Sequence, residues 1–219
     1  MIPRVLLFDL DGTLTDSRLG IMRCMRYALE RLDAPCPADA LLESHIGSSL
    51  RTTFRALLAT LDPGRVERAV GLYHERYADT GLYENHVYPG IPEMLDALAA
   101  EARLFVATQK FAPYADVIVG HFGLRRYFGG IYGTDFGGRL DDKGQVIASL
   151  LRTERVRAAD AVMIGDRAHD VLAARDNGMS SIGVLWGYGS PTELASAGAG
   201  GLCEAPAGLT ACLRQLGRR

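Results

Sequence analysis

The chain has 219 residues, 24 of them Lys or Arg and 26 Asp or Glu, for a formal net charge of −2. That near-neutral balance excludes the bulk electrostatic attraction on which nucleic-acid polymers and anionic membranes depend. Its four cysteines form no CxxC pair, which speaks against a zinc site or a disulfide framework, and 48 % hydrophobic content suffices for one large domain or a domain with a smaller insert.

Val5–Phe8 is the first of several short apolar runs that read as buried parallel strands. The apolar start runs into Asp9 too soon for a signal peptide, and no stretch is long enough to cross a membrane. A cytoplasmic protein is therefore expected. From residue 18 to about 83 the chain shows helical spacing only. Met22, Met25, Leu29 and Leu32 share a face, as do Leu50, Phe54, Leu57, Leu58 and Leu61, and Val66, Val70, Tyr73 and Tyr77. This predicts a helical insert, with Asp62-Pro63-Gly64 separating its last two helices. Ser17 is expected to cap the first of them. Ile46–Leu50 reads as a helix start capped by Ser48 or Ser49.

Beyond the insert, strands are predicted at Leu104–Ala107, Ala161–Ile164 and Ser181–Leu185, with a weaker one at Gly130–Tyr132. Helical patterns at Pro92–Glu101, Pro113–Phe122, Lys143–Leu151, Ala168–Asn177 and Pro191–Ala197 alternate with them, as in an α/β parallel sheet. The Ala/Gly-rich stretch Ala195–Gly201 reads as a loop.

Asp9 and Asp11 close the first strand and point the same way if the chain stays extended. At about 4 Å and an effective dielectric of about 20, two such charges repel by roughly 4 kcal/mol. Packing alone would not select this, whereas a divalent cation would neutralise it; a turn or helix cap beside Gly12 is the simpler alternative. The design recurs where Ala161–Ile164 runs into Asp166, with Asp170 one helical turn on. An oxygen-rich cluster at strand ends suits Mg²⁺. Thr108 ends a third strand with a hydroxyl, and Lys143 opens a helix with a cation. Together these are the groups phosphoryl transfer needs.

In that order, Asp9-Leu10-Asp11-Gly12-Thr13, Thr108, Lys143 and Gly165-Asp166…Asp170 resemble the four motifs of the haloacid dehalogenase superfamily. The resemblance implies a Rossmann-like parallel-sheet core from residues 1–16 and 84–219, with residues 17–83 as a small α-helical cap. Val87–Leu98, Ile131-Tyr132-Gly133 and Ser181–Ser190 resemble the phosphoglycolate-phosphatase-like branch, some members of which act on nucleoside 5′-monophosphates. The implied activity is a Mg²⁺-dependent phosphatase for small phosphorylated metabolites, working as a monomer or homodimer, with no nucleic-acid polymer or membrane as partner.

Carried over, Asp9 is the nucleophile that forms an aspartyl-phosphate, and Asp11 is the general acid and then base. Asp9, the Asp11 carbonyl, and Asp166 or Asp170 hold the metal. Thr108 and Lys143 grip the phosphoryl oxygens, and the turn at Gly12 and Thr13 offers backbone N–H groups. Gln109 and Lys110 are candidate substrate contacts, with solvent-facing positions as the alternative, and for Lys110 the surface is the commoner outcome. The resemblance also implies that Ile46–Leu50 is a substrate-facing loop of the cap, with Ser48 and Ser49 as candidate contacts and the helix start as the alternative. Asp141 and Asp142 read as loop or cap carboxylates, and Arg167 and His169 as site-lining or surface-pairing groups.

Sibling chemistries fit less well. A dehalogenase would lack Asp11, and a phosphonatase needs a cap lysine, absent between Leu19 and Tyr83. A sugar-phosphate mutase, or a non-catalytic protein that binds a phosphate ligand, stays open, although a retired site has little reason to keep clustered acids.

Overall fold

The computed structural model describes residues 2–135, 140 and 142–217, so Asp141 lies outside the described residues. The chain begins with β1 (Val5–Phe8) and a two-residue strand β2 (Thr15–Asp16). The helical insert follows as α1 (Arg18–Arg31), α2 (Asp39–Ser44), α3 (Leu50–Leu57) and α4 (Pro63–Arg76), ending in a π-turn at Tyr77–Gly81. Then come β3 (His86–Val87), α5 (Ile91–Ala99), β4 (Arg103–Phe111), α6 (Ala112–His121) and β5 (Phe128–Thr134). The last third holds α7 (Lys143–Thr153), β6 (Ala161–Gly165), α8 (Ala168–Asp176), β7 (Ser180–Val184), α9 (Pro191–Ala197), β8 (Leu202–Cys203) and α10 (Leu209–Leu216).

Among the described residues, six strands form one sheet in the order β5-β4-β1-β6-β7-β8, every pair parallel. Alternation along β1 sends Leu6 and Phe8 into one core layer and Val5 and Leu7 into the other. Both faces are covered, which is why the central strands β1 and β6 are apolar along their length rather than at every second position. The chain builds outward from β1 through β4 and β5, then returns to add β6 on the other side. That reversal leaves a crevice at the carboxyl ends of β1 and β6, the usual ligand position in such sheets.

β2 and β3 pair antiparallel, Thr15 with Val87 and Asp16 with His86. Neither strand was legible as one, because two residues carry no period. The pair gathers the two crossings between core and insert into one short ribbon.

Within the insert, Met22, Met25, Leu29, Phe54, Val66, Val70, Tyr73 and Tyr77 are buried, as their spacing requires. Leu61 departs from its assigned face: it is 89 % exposed, because α3 stops at Leu57 and the chain has already turned. Ser49 caps α3 by accepting the Thr52 N–H. Asp62 caps α4 by accepting the Gly64 N–H, with Pro63 opening the helix. Ser17 does not cap α1, since its hydroxyl is engaged elsewhere. Of the Ala/Gly-rich stretch, Ala195–Ala197 completes α9, whose end falls where its pattern predicts, and residues 198–201 form the expected loop before β8.

Candidate active site

β1 ends at Phe8, in register with Val106 of β4 and Ile164 of β6. The next residue, Asp9, still donates its N–H to the Ile164 carbonyl at 2.9 Å. Its carboxylate therefore leaves the sheet between the ends of both neighbouring strands. Thr108 arrives from β4 and Asp166 from the end of β6, both buried. Asp142 accepts the Gln145 N–H at 2.9 Å and so starts α7 at Lys143, whose side chain is buried against the acids.

The Lys143 ammonium lies 2.8 Å from Asp9 and also pairs with Asp170. Burial alone would lower its pKa, but the Asp170 and Asp9 carboxylates outweigh burial and hold it above the ordinary lysine value. Asp170 is oriented from the other side by the Arg167 N–H at 3.0 Å. Asp166 accepts the Thr13 hydroxyl at 3.2 Å and the Tyr188 N–H at 2.8 Å, with no cation of its own among the described contacts. Its pKa is pushed well up, first by burial and then by the Asp170 and Asp9 charges.

Ligand oxygens of Asp9, Asp166 and Asp170 lie within 4.8 Å of one another, and all three residues are buried. Three carboxylates facing one ammonium leave an excess of two negative charges when all are ionised. An all-oxygen donor set with that excess fits a hard divalent cation. The backbone is shaped to the same end. Gly12 has φ +86°, and a Cβ there would stand 2.2 Å from Asp166 Oδ2.

Asp11 is set apart from this trio. Its Oδ1 accepts the Ser17 hydroxyl at 2.6 Å and its Oδ2 lies 2.7 Å from the Lys110 ammonium. Lys110 is thus not a surface lysine: its side chain is 6 % exposed, and its ammonium also donates to the Tyr77 hydroxyl at 2.7 Å.

Asp9, Asp11 and Thr108 form the floor of a cavity between the sheet ends and the insert. Gln109, Lys110, Phe111 and Tyr114 line it from the core, and Ile46–Arg51, Tyr73, His74 and Tyr77 from the insert. Ser48, Ser49, Gln109 and Lys110 therefore share one cavity with Asp9 and Asp11. Gly12 and Thr13 stand differently. The Gly12 N–H donates to the Thr15 carbonyl at 2.8 Å and the Thr13 N–H to the Leu10 carbonyl at 3.3 Å, so these two donors are spent within the turn. Burial beside Lys110 and Arg51 lowers the His74 pKa to about 4, which leaves that ring neutral near pH 7.

Some participants were not legible in the sequence. Ser17, expected as a cap, instead donates its hydroxyl to Asp11. Tyr188 gives its N–H to Asp166, while its hydroxyl accepts the Ser17 N–H at 3.0 Å and donates to Asp16 at 3.1 Å. The flanking glycines were the available signal: a Cβ at Gly187 or Gly189 would strike Asp166. Arg167 neither faces solvent nor touches Asp9, Asp166 or Asp170 with its guanidinium, which pairs with Glu193 at 2.9 Å and reaches the Ile46 carbonyl. His169 packs beside Gly47 and Arg167, with its pKa lowered by burial.

Residues 6–184 match the family model described as haloacid dehalogenase-like hydrolase. A curated relative from Pseudomonas aeruginosa, named 5′-nucleotidase, is 46 % identical over 190 residues, covering 86 % of each chain. A protein of Mycobacterium tuberculosis named tyrosine-protein kinase PtkA is 38 % identical over 188 residues; the match covers 85 % of this chain and 64 % of that protein. A crystal structure titled as a predicted phosphatase from Clostridium acetobutylicum superposes with a TM-score of 0.92 at 34 % identity, covering 100 % of both chains.

Proposed function

Since this chain belongs to the haloacid dehalogenase-like hydrolase family, we propose that it is a Mg²⁺-dependent phosphatase that hydrolyses nucleoside 5′-monophosphates through an aspartyl-phosphate on Asp9. That it is a phosphatase of this family follows from its relatives. The metal, the substrate and the role of each residue are our reading. Residues 17–83 are read as the cap and residues 1–16 with 84–219 as the catalytic core.

In this reading a carboxylate oxygen of Asp9 attacks phosphorus in line. The P–O bond to the alkoxide breaks, and that oxygen takes a proton from the Asp11 carboxyl. In the second step Asp11 removes a proton from water, the water oxygen bonds to phosphorus, and Asp9 is released. Lys143 and Thr108 hold the phosphoryl oxygens. Asp9, Asp166 and Asp170 would hold Mg²⁺, with the Asp11 carbonyl as a further ligand. When bound, the metal offsets the repulsion between the Asp9 carboxylate and the phosphate dianion. Gly12 and Thr13 serve this site by shaping the turn against Asp166.

The observation that carries the substrate reading is the character of the cavity beyond the acids. Ile21, Met25, Leu50, Val70, Tyr73, Phe111 and Tyr114 line it. Among the described residues, the lysine and arginine of its lining already have partners: Lys110 faces Asp11, and Arg51 forms a two-point pair with Glu67 at 2.6 and 3.1 Å. A flat, largely apolar nucleoside suits such walls. The carboxylate of 2-phosphoglycolate would need a cation drawn away from an existing pair. The relative named 5′-nucleotidase supports the same choice.

Phosphate release measured across nucleoside 5′-monophosphates, 2-phosphoglycolate and O-phosphotyrosine is the test. The expected kcat/KM for the best nucleotide exceeds that for 2-phosphoglycolate at least tenfold, about 1.4 kcal/mol of transition-state preference. A preference for 2-phosphoglycolate would overturn the substrate and leave the phosphatase standing.

A further inference from the structure

We propose that Tyr77 and Lys110 are positioning residues for the acid–base carboxylate, so that the insert, seated on the core, aims Asp11 at the leaving oxygen. This rests on the reading of Asp11 given above.

Lys110 sits two residues beyond Thr108, and its N–H donates to the Thr108 hydroxyl at 3.2 Å. Its backbone is thereby tied to a residue on the cavity floor. The ammonium, 2.7 Å from Asp11 Oδ2, donates to the Tyr77 hydroxyl at 2.7 Å and stands 4.6 Å from that ring's centroid. A buried ammonium is costly unless partnered. Here one partner is a core carboxylate and the other a phenol of the insert, so the pair cannot form fully unless insert and core are together.

Tyr77 is held rigidly enough to serve. It opens the π-turn that follows α4, is fully buried, and stacks on Tyr73 with centroids 5.2 Å apart and planes 13° from parallel. A Cβ at Gly81 would lie 2.7 Å from both Tyr77 Cδ2 and Cys24 Sγ, and one at Gly20 would lie 2.3 Å from the Gly81 carbonyl oxygen. Both glycines let α1 and the π-turn close around the ring. The other oxygen of Asp11 is fixed by Ser17, in the linker that enters α1. Each oxygen of the carboxylate is therefore held by a group that belongs to the insert or is anchored by it.

A misaimed acid has a distinct signature. An alkoxide needs its proton in the first step, whereas p-nitrophenolate leaves without one. Single-turnover release would be measured for an alkyl phosphate (a nucleoside 5′-monophosphate, or 2-phosphoglycolate where that is faster) and for p-nitrophenyl phosphate. The variants are Tyr77→Phe, Lys110→Met and, as reference, Asp11→Asn, each checked for folding by circular dichroism. Tyr77→Phe is expected to slow the alkyl substrate about tenfold and Lys110→Met about a hundredfold, with the p-nitrophenolate burst within about twofold of wild type. KM for the alkyl substrate should stay within about twofold. If Tyr77→Phe does not fold, Lys110→Met alone decides. Equal slowing of both substrates, or a change confined to KM, would overturn the proposal while Asp11→Asn still shows the leaving-group difference. If Asp11→Asn shows no such difference, its assignment as the acid falls, and this inference falls with it.

Discussion

The Arg167 guanidinium, rooted in the loop before α8, donates to the backbone carbonyl of Ile46 in the insert. Its aim is set by the core, because Nε pairs with Glu193 at 2.9 Å and Glu193 also accepts the Ala168 N–H at 2.8 Å. Gly47, at φ +94°, keeps the insert backbone close: a Cβ there would be 3.3 Å from Arg167 Cγ. Arg167 and Lys110 are thus two clasps between core and insert, each a core cation reaching an insert oxygen.

Arg167→Met keeps the stem and removes the donors. The expected result is faster amide exchange over residues 46–50 and a severalfold rise in KM, with a stability loss of about 1 kcal/mol or less. Exchange unchanged from wild type would show that this clasp does not hold the insert.

The metal-free protein should respond to pH in an unusual sense. Burial, together with the neighbouring Asp9 charge, raises the folded-state pKa of Asp170 to about 6 despite Lys143. A carboxyl whose folded pKa exceeds its unfolded value of 3.8 binds protons more tightly when folded. Its ionisation then costs nothing below the unfolded pKa, costs progressively more from there to about 6, and costs its full amount above about 6. In chelator, Tm is expected to gain from this group on acidification from pH 7.5 to 5. Mg²⁺ should raise Tm more at pH 7.5 than at pH 5, where protons compete for the same oxygens. A metal-induced shift equal at both pH values would contradict this placement of the cation.

Asp166→Asn separates activity from stability. Asn can turn its one oxygen to the Tyr188 N–H and donate its amide N–H to the Thr13 hydroxyl oxygen, while removing a charge that faces Asp9 and Asp170. Loss of metal-activated turnover is expected together with a higher Tm in chelator. A lower Tm would mean that the carboxylate is stabilised by contacts an amide cannot make.

How far the sequence discloses this site depends on what each residue does locally. Asp9, Thr108 and Asp166 follow apolar runs, and a polar group at the end of a buried strand is conspicuous. Lys143 was legible because Asp142 caps the helix it opens. Ser17 was misread because a serine before a helix has an ordinary local use, and only the fold brings Asp11 within 2.6 Å of its hydroxyl. Lys110 had no local signature at all: its burial is created by Tyr77, 33 positions earlier. The positions of the long strands followed from their apolar runs, whereas β2, β3 and β8 are two residues each and owe their existence to neighbours.

The two serines at the mouth of the insert should behave differently. Ser49 accepts the Thr52 N–H and caps α3, so Ser49→Ala is expected to cost about 1 kcal/mol of stability. Its effect on substrates should be uniform. Ser48 caps nothing; its N–H donates to the His45 carbonyl at 3.1 Å, and the half-buried residue lines the cavity beside Leu50 and Arg51. A bulky Ser48→Leu would take up space where the part of the substrate beyond the phosphate has to sit. Acetyl phosphate, which barely extends past the phosphoryl group, should be hydrolysed within about twofold of the wild-type rate, since the chemical machinery is untouched. A nucleoside 5′-monophosphate should lose about tenfold in kcat/KM, mostly through KM, because the group displaced is a binding group rather than a reacting one. 2-Phosphoglycolate, intermediate in size, should fall between them. If all three slow by one factor, Ser48 does not read the leaving group, and selection has to reside in the aromatic wall of Tyr73, Phe111 and Tyr114 instead.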